Sequence, residues 1–385
     1  MSMFGSFVLA DIPAEFAPLR RQVRALANRV KADLSSSVRA RSWGGFDREF
    51  TRELGRAGLL GMTVPVEYGG QGQGAFARFI VVEELLAAGA PVAAHWIADR
   101  QSAPLLMSFG NEAQKRRFVP GICSGKLLFC IGMSEPNAGS DLANIRSRVE
   151  KTEAGWVLNG QKVWTTNAHL DDFMIALVRS SGGVEDRHRG LSQFIVDLKL
   201  PGVSIRPIRD VAGDTHFNEV FFDQVELPED ALLGEEGNGW AQCTAELAFE
   251  RSGPERIYSS IVLLEAWVDH LRRVGRLDDA TTALVGQLIA ELAILRDMSI
   301  GCTALLAEGA SPVVEASIIK DLGTAHEQSV PRLIGDDLAS HPTEQVSAEL
   351  TRTILYLLDV APSFSLRGGT REILRGIIAR GLGLR

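Results

Sequence analysis

The stretch Ile131-Gly132-Met133-Ser134-Glu135-Pro136-Asn137-Ala138-Gly139-Ser140-Asp141 marks the point at which the chain changes character. It begins in a short apolar run, Phe129 to Met133, and breaks at once into Ser, Pro, Asn and Gly. Such a turn is dense in hydroxyls and backbone N–H groups, and Gly139 allows a polar ligand close to the backbone. The same residues suit a plain polar turn, so local chemistry alone leaves both readings open.

Upstream, residues 12–125 read as helical. Ala17-Pro18-Leu19 leads into Val23, Leu26, Ala27 and Val30, an i, i+3, i+4, i+7 stripe. Phe50, Leu54, Ala57 and Leu60 repeat the spacing, and so do Ile80, Val81, Glu84, Leu85 and Ala88. Pro65 and the glycines around Gln71 punctuate them. Downstream, Trp156-Val157-Leu158, Phe173 to Val178 and Val220-Phe221-Phe222 are short apolar or β-branched runs that predict strands. Asn159-Gly160 predicts a hairpin turn. From Asn238 onward the pattern is helical again, with stripes at Ile261, Leu264, Trp267, Val268, Leu271 and at Leu284, Leu288, Leu292, Leu295. The fold class is therefore α+β, mostly α. Its expected divisions are a helical domain over 1–126, a β domain over 127–234 and a helical domain over 235–385.

Composition is consistent with this. At about 150 residues per domain, 385 residues suggest two to three domains. Hydrophobic residues are 45% and charged residues 23%, which fits packed cores rather than disorder. A net charge of -8 argues against nucleic-acid binding through a basic face. Cys123, Cys130, Cys243 and Cys302 form no C-x-x-C pair, so buried free thiols in a reducing, cytoplasmic setting are expected. The sequence holds neither a secretory signal nor a run of about 18 apolar residues, so no membrane association is expected. None of the seven histidines pairs with another at i, i+3 or i+4, and no metal site is expected.

Two further segments carry chemistry. Leu158 to Asn167 ends in Trp164-Thr165-Thr166, a flat apolar face beside hydroxyl donors, which suits a planar heteroaromatic ligand. A core tryptophan is the plainer alternative. Arg367-Gly368-Gly369-Thr370-Arg371-Glu372 precedes a helical stripe. Its free N–H groups are a seat for an anion or pyrophosphate, or simply a Thr N-cap.

These three segments, in this order on an α–β–α layout, resemble the acyl-CoA dehydrogenase family over essentially the whole chain, from Pro65–Gly70 to the Gly-Gly-Thr helix. The resemblance implies an N-terminal helical domain, a middle β-barrel and a C-terminal four-helix bundle, with FAD as cofactor. It implies that Ile131, Met133 and Ser134 back the flavin ring, with Ser134 donating to it. Gly139 and Ser140 match the turn near FAD and the CoA arm of the substrate. Trp164 matches the residue packed on the isoalloxazine, Thr166 the hydroxyl at N5, and Thr370 a cofactor contact.

The family's reaction needs a carboxylate that removes an α-proton from an acyl thioester while the β-hydrogen leaves as hydride. Burial in an apolar slot raises a Glu pKa toward neutrality and makes it usable. Many members place this Glu directly before Gly-Thr, where this chain has Gly368. A minority place it on a bundle helix before an Arg, and here Phe249-Glu250-Arg251 stands in that place. Glu250 is thus the candidate base, with Arg251 beside it as a substrate contact. Glu246 and Glu372 are the competing carboxylates.

Two departures remain. Homotetrameric members carry Arg-x-x-Phe-Gly and Gln-x-x-Gly-Gly stretches that reach a neighbouring subunit's FAD. Here those regions read Arg273 to Asp279 and Ile334 to Ser340, and neither motif is present. This is similar to bacterial members that assemble as α2β2 heterotetramers, some acting on steroid or other bulky side chains. The expected partners are an acyl-CoA substrate, an electron-transfer flavoprotein and a homo- or heterotetrameric assembly. A non-catalytic partner subunit and a flavin-dependent oxidase or monooxygenase of the same fold are the alternatives.

Overall fold

The computed structural model describes residues 7–276 and 278–384; the side chains of residues 245–250 stand outside that description. Before the sheet come helices α1 (Ala17–Asp33), α2 (Ser36–Arg39), α3 (Arg48–Arg56), α4 (Ala75–Ala88), α5 (Ala93–Ile97), α6 (Ala103–Phe109) and α7 (Glu112–Cys123). The strands are β1 (Phe129–Gly132), β2 (Arg148–Thr152), β3 (Gly155–Thr166), β4 (Phe173–Arg179), β5 (Leu191–Asp197), β6 (Val203–Ile208), β7 (Phe217–Leu227) and β8 (Leu232–Leu233). After them come α8 (Gly239–Glu250), α9 (Ile261–Val274), α10 (Asp279–Ala307), α11 (Val313–Ser340), α12 (Ala348–Val360) and α13 (Arg371–Gly381). The chain divides into two compact units. One takes residues up to 45 with 74–92 and 250 onward; the other takes 46–73 and 93–249.

The first unit is helical. Val23, Leu26, Ala27 and Val30 are the buried stripe of α1, as their spacing predicts. Residues of α9, α10, α11 and α12 share one core around Leu263, Trp267, Leu288, Val330 and Leu357, so these four helices form a bundle. On α4 the pattern runs apolar nearly all round, and the helix is buried accordingly, including Glu83 and Glu84. Buried carboxylates need partners. Glu84 takes two bonds from Arg24, at 2.9 and 2.7 Å, while Glu83 meets Arg20 at 2.7 Å and Arg296 at 2.5 Å.

The second unit is built on one eight-stranded sheet in the order β6-β7-β3-β2-β4-β5-β8, with β1 added parallel to β4. Its core includes Trp156, Leu158, Met174, Phe194, Val196 and Val220. The four cysteines are free and buried. Asn159-Gly160 is not a hairpin turn: β2 and β3 join at Glu153-Ala154, and the Asn-Gly pair lies inside the twelve-residue β3. Packing outweighs the dipeptide preference there. Gly160 has φ of 145° and its ideal Cβ would fall 2.3 Å from Ser147 Oγ, so glycine is needed for close passage of Ser147, the residue before β2. Asn159 spends its side chain on Gln224, accepting from that residue's backbone N–H at 2.9 Å across a bulge in the β3–β7 pairing.

Candidate active site

In the sheet unit, two segments named from sequence come together. β1 runs beside β4 as far as Gly132, where a Cβ would sit 2.4 Å from Met174 Sδ and 3.2 Å from Lys162 Cγ. Beyond it the chain doubles back tightly: Glu135 N–H donates to the Ala138 carbonyl at 2.9 Å and Ala138 N–H returns to Glu135 at 3.0 Å. The loop is tied to β3 by Val163 N–H donating to the Ser134 carbonyl at 2.9 Å. Ile131, Met133 and Ser134 are half-buried along this edge, and Gly139 and Ser140 are exposed beyond it. A Cβ on Gly139 would meet no atom within 4 Å, so the fold itself does not demand a glycine there.

Between the loop and β3 lies an ion pair that sequence reasoning missed. Lys162 is fully buried and donates to Glu135 at 2.7 Å and to the Met133 carbonyl at 3.2 Å. Glu135 also accepts from Arg146 N–H at 2.7 Å and Ser147 N–H at 3.0 Å. Burial pushes the Glu135 carboxyl up, but the Lys162 ammonium and these hydrogen bonds outweigh it and hold the group below its ordinary range. Burial pulls the Lys162 ammonium down against the opposing pull of Glu135.

The end of β3 is distorted. Its pairing with β7 jumps from Lys162↔Val220 to Thr165↔Asn218, which inserts one extra residue on β3, a β-bulge. Trp164 takes φ of 58° there and Asn167 takes φ of 57°. Strict alternation would put Trp164 on the same face as buried Lys162. The bulge turns it outward instead, 58% exposed and edge-on to Phe217 at 5.8 Å. Thr166 is half-buried opposite Phe217, while Thr165 points inward with no hydrogen-bond partner on its hydroxyl among the described residues. Strained, non-glycine backbone of this kind clusters at functional sites.

Next to Ser140, Asp141 is held by Arg187 through two bonds of 3.3 and 2.8 Å. Buried Arg179 fixes the loop behind it by donating to the carbonyls of Ala143, Arg187 and Arg189. On the loop between β6 and β7, Asp210, Asp214 and His216 lie within 4.8 Å of one another, a grouping that helical spacing of histidines could not reveal.

In the helical unit, the Gly-Gly-Thr segment is a turn into α13. Thr370 is the N-cap, accepting from Ile373 N–H at 3.5 Å. Gly368 and Gly369 have φ of 65° and 100°, which only glycine takes readily. Both of their carbonyls are held by buried cations: Arg251 Nε donates to Gly368 O at 3.0 Å, and Lys320 Nζ donates to Gly369 O at 2.8 Å. Arg251, expected at the substrate, thus has its Nε on backbone. Glu372 is exposed on the first turn of α13. Its own backbone N–H and the Thr370 hydroxyl hold its carboxyl below the ordinary range, the opposite of what a base near neutrality requires. Glu250 is the last residue of α8; its side chain and that of Glu246 lie outside the described residues.

The two regions that depart from the homotetramer motifs meet within this same unit. Arg276 grips Asp337 at 2.5 and 3.1 Å and Glu344 at 3.0 Å, and Asp337 also accepts from Trp267 Nε1 at 3.0 Å and Thr281 Oγ1 at 3.1 Å.

Sequence comparison matches residues 13–126 to the acyl-CoA dehydrogenase N-terminal domain and residues 130–225 to the acyl-CoA dehydrogenase middle domain. The chain is 36% identical over 347 residues to acyl-CoA dehydrogenase IpdE1 of Mycobacterium tuberculosis, covering 88% of each protein. Among solved structures, it resembles the Tcur3481-Tcur3483 steroid ACAD with a TM-score of 0.86 and 28% identity over 98% of this chain and 100% of that one. It resembles the ChsE4-ChsE5 complex of Mycobacterium tuberculosis with a TM-score of 0.83 and 29% identity over 98% and 100%. With these matches running from the N-terminal helices through the sheet and into the bundle, the chain belongs to the acyl-CoA dehydrogenase family.

Proposed function

We propose that this chain catalyses FAD-dependent α,β-dehydrogenation of an acyl-CoA to the trans-2-enoyl-CoA, with Glu250 as the base. The observation that carries the assignment is the contact between Arg251 and the Gly368 carbonyl at 3.0 Å. It ties the residue following Glu250 to the turn position where other members carry their base. On this reading Glu250 takes the place of the base that other members carry on that turn.

The residues present fit a flavin. Gly139 leaves space that no protein atom uses, Trp164 offers an indole face held outward by strained backbone, and half-buried Thr166 and Ser134 carry hydroxyls. Ile131 and Met133 would back the ring, and Thr370 would contact the cofactor from the start of α13. Ser140 would meet the CoA arm. When bound, FAD supplies the hydride acceptor. The chain's part is to hold the thioester in line and to take the α-proton onto Glu250 as the β-hydrogen departs.

The acyl group we assign is bulky, branched or a steroid side chain, in keeping with the structural relative named a steroid ACAD. The assembly we assign is α2β2 with a related subunit. The Arg276–Asp337 pair supports this, because the two regions that serve a neighbour's cofactor elsewhere are closed on each other here. The redox partner we assign is an electron-transfer flavoprotein, and the setting the cytoplasm. We keep the three-domain division at 1–126, 127–234 and 235–385 as part of this reading.

The test is Glu250→Gln in the flavin-loaded enzyme, assayed with an acyl-CoA and an artificial electron acceptor. Loss of a general base should lower kcat by about 10²- to 10⁴-fold with FAD content unchanged. Activity within threefold of the parent would overturn the assignment and move attention to Glu246.

A further inference from the structure

Lys162 lies where two segments of the proposed site meet, the Met133–Glu135 loop and β3. It is fully buried, yet a lysine of this kind is rarely kept inside a protein unless it is paired and hydrogen-bonded. Its ammonium reaches Glu135 at 2.7 Å and the Met133 carbonyl at 3.2 Å.

The bond to Met133 has a geometric consequence. A peptide unit is planar and trans, so fixing the direction of the Met133 carbonyl fixes the Ser134 N–H on the opposite edge. The neighbouring Ser134 carbonyl is already taken by Val163 N–H at 2.9 Å. Ser134 is therefore located from both sides by two consecutive residues of β3, Lys162 and Val163. Glu135 does not wander as the counter-charge, because Arg146 and Ser147 N–H groups bind it from behind. The bulge follows directly after Lys162 and turns Trp164, two residues on, outward. Lys162 thus sets the distance and orientation between the Ser134 edge and the Trp164–Thr166 strand end.

A buried ion pair is weak grounds for stability, since packed apolar residues of similar size often do as well. Its value here lies in direction: an apolar side chain would fill the space but would leave the Met133 carbonyl unoriented.

We propose that Lys162, with Glu135 as its counter-charge, is the positioning residue of the cofactor wall, registering the Ser134 peptide against the Trp164–Thr166 strand end. This rests on the reading of Ser134 and Thr166 as flavin contacts. The test is the double variant Glu135→Gln/Lys162→Met, made in the assembly in which the chain holds FAD. Removing both charges leaves neither stranded. The far-ultraviolet circular dichroism of the apoprotein should be unchanged, while amide exchange at Val163, whose N–H donates to the Ser134 carbonyl, quickens at least tenfold. The FAD dissociation constant should rise at least tenfold, with a shift in the visible flavin band.

A dissociation constant within twofold of the parent, with exchange unchanged, overturns the proposal. Thr166→Ala separates the two layers. If it leaves the flavin band and dissociation constant unchanged, the reading of the wall fails. If it changes them and the double variant does not, only the role of Lys162 falls. Should the double variant not fold, the single variants decide: Lys162→Gln should weaken FAD binding at least tenfold while Glu135→Gln, which leaves an amine on the Met133 carbonyl, stays within threefold of the parent. A loss smaller than tenfold in Lys162→Gln overturns the proposal.

Discussion

Two glycine-bearing turns, one in each unit, are held by different means. In the sheet unit the Gly132–Glu135 turn is fixed by a lysine whose charge is matched at 2.7 Å by Glu135. In the helical unit the Gly368–Gly369 turn is fixed by Arg251 and Lys320, each donating to a backbone carbonyl. The first turn is a clamp between two full charges. The second is a clamp from charge to dipole, set at the start of α13, where the helix dipole already favours an anion.

This difference should be measurable in stability. Lys162→Met strands a buried carboxylate, and breaking such a pair from one side costs about 3–5 kcal/mol. Lys320→Met takes the ammonium from the half-buried Gly369 carbonyl, and an acceptor left without its donor there costs no more than about 1–3 kcal/mol. Urea unfolding of both variants tests the ordering. If Lys320→Met proves the costlier of the two, the distinction between a carboxylate-anchored and a carbonyl-anchored clamp is wrong.

A smaller effect belongs to the cap. Thr370 accepts from Ile373 N–H at the long distance of 3.5 Å, so Thr370→Ala should cost about 1 kcal/mol or less and Thr370→Ser almost nothing. If Thr370 also contacts the cofactor, Thr370→Ala will weaken FAD binding by more than its cap accounts for, and Thr370→Ser will restore it. Equal FAD affinity in all three proteins would reduce the residue to a cap.

Much of this architecture was legible in the order of residues. The stripe Val23, Leu26, Ala27 and Val30 needs only the 3.6-residue period, and all four side chains are buried. Thr370 before Arg371-Glu372 reads as a cap because the cap is local chemistry. What could not be read depends on distance along the chain. Lys162 in a strand looks like a solvated residue until Glu135, 27 positions earlier, is placed against it. Arg251 and Gly368 are 117 positions apart, and nothing local says that they touch. Asn159-Gly160 misled because a hairpin preference is statistical, while the demand for glycine at 160 is imposed by Ser147, just ahead of the adjacent strand. The regions around Arg276 and Asp337 read in sequence as two missing motifs; in space they close on each other as a buried ion pair.

The smallest stability effect offers the sharpest test of the sheet-side turn, because its two glycines serve different masters. Gly132 is fixed by the fold, since a Cβ would press to 2.4 Å from Met174 Sδ. At Gly139 a Cβ meets nothing within 4 Å, and its φ is not in the left-handed region. Gly139→Ala should therefore change unfolding stability by no more than about 0.5 kcal/mol, as an exposed substitution does. If the empty space there exists for a ligand, the same methyl group will weaken FAD binding several-fold, a separation of affinity from stability that no folding role would produce. A Gly139→Ala protein that binds FAD as tightly as the parent would show that the turn is open to solvent rather than shaped for the cofactor.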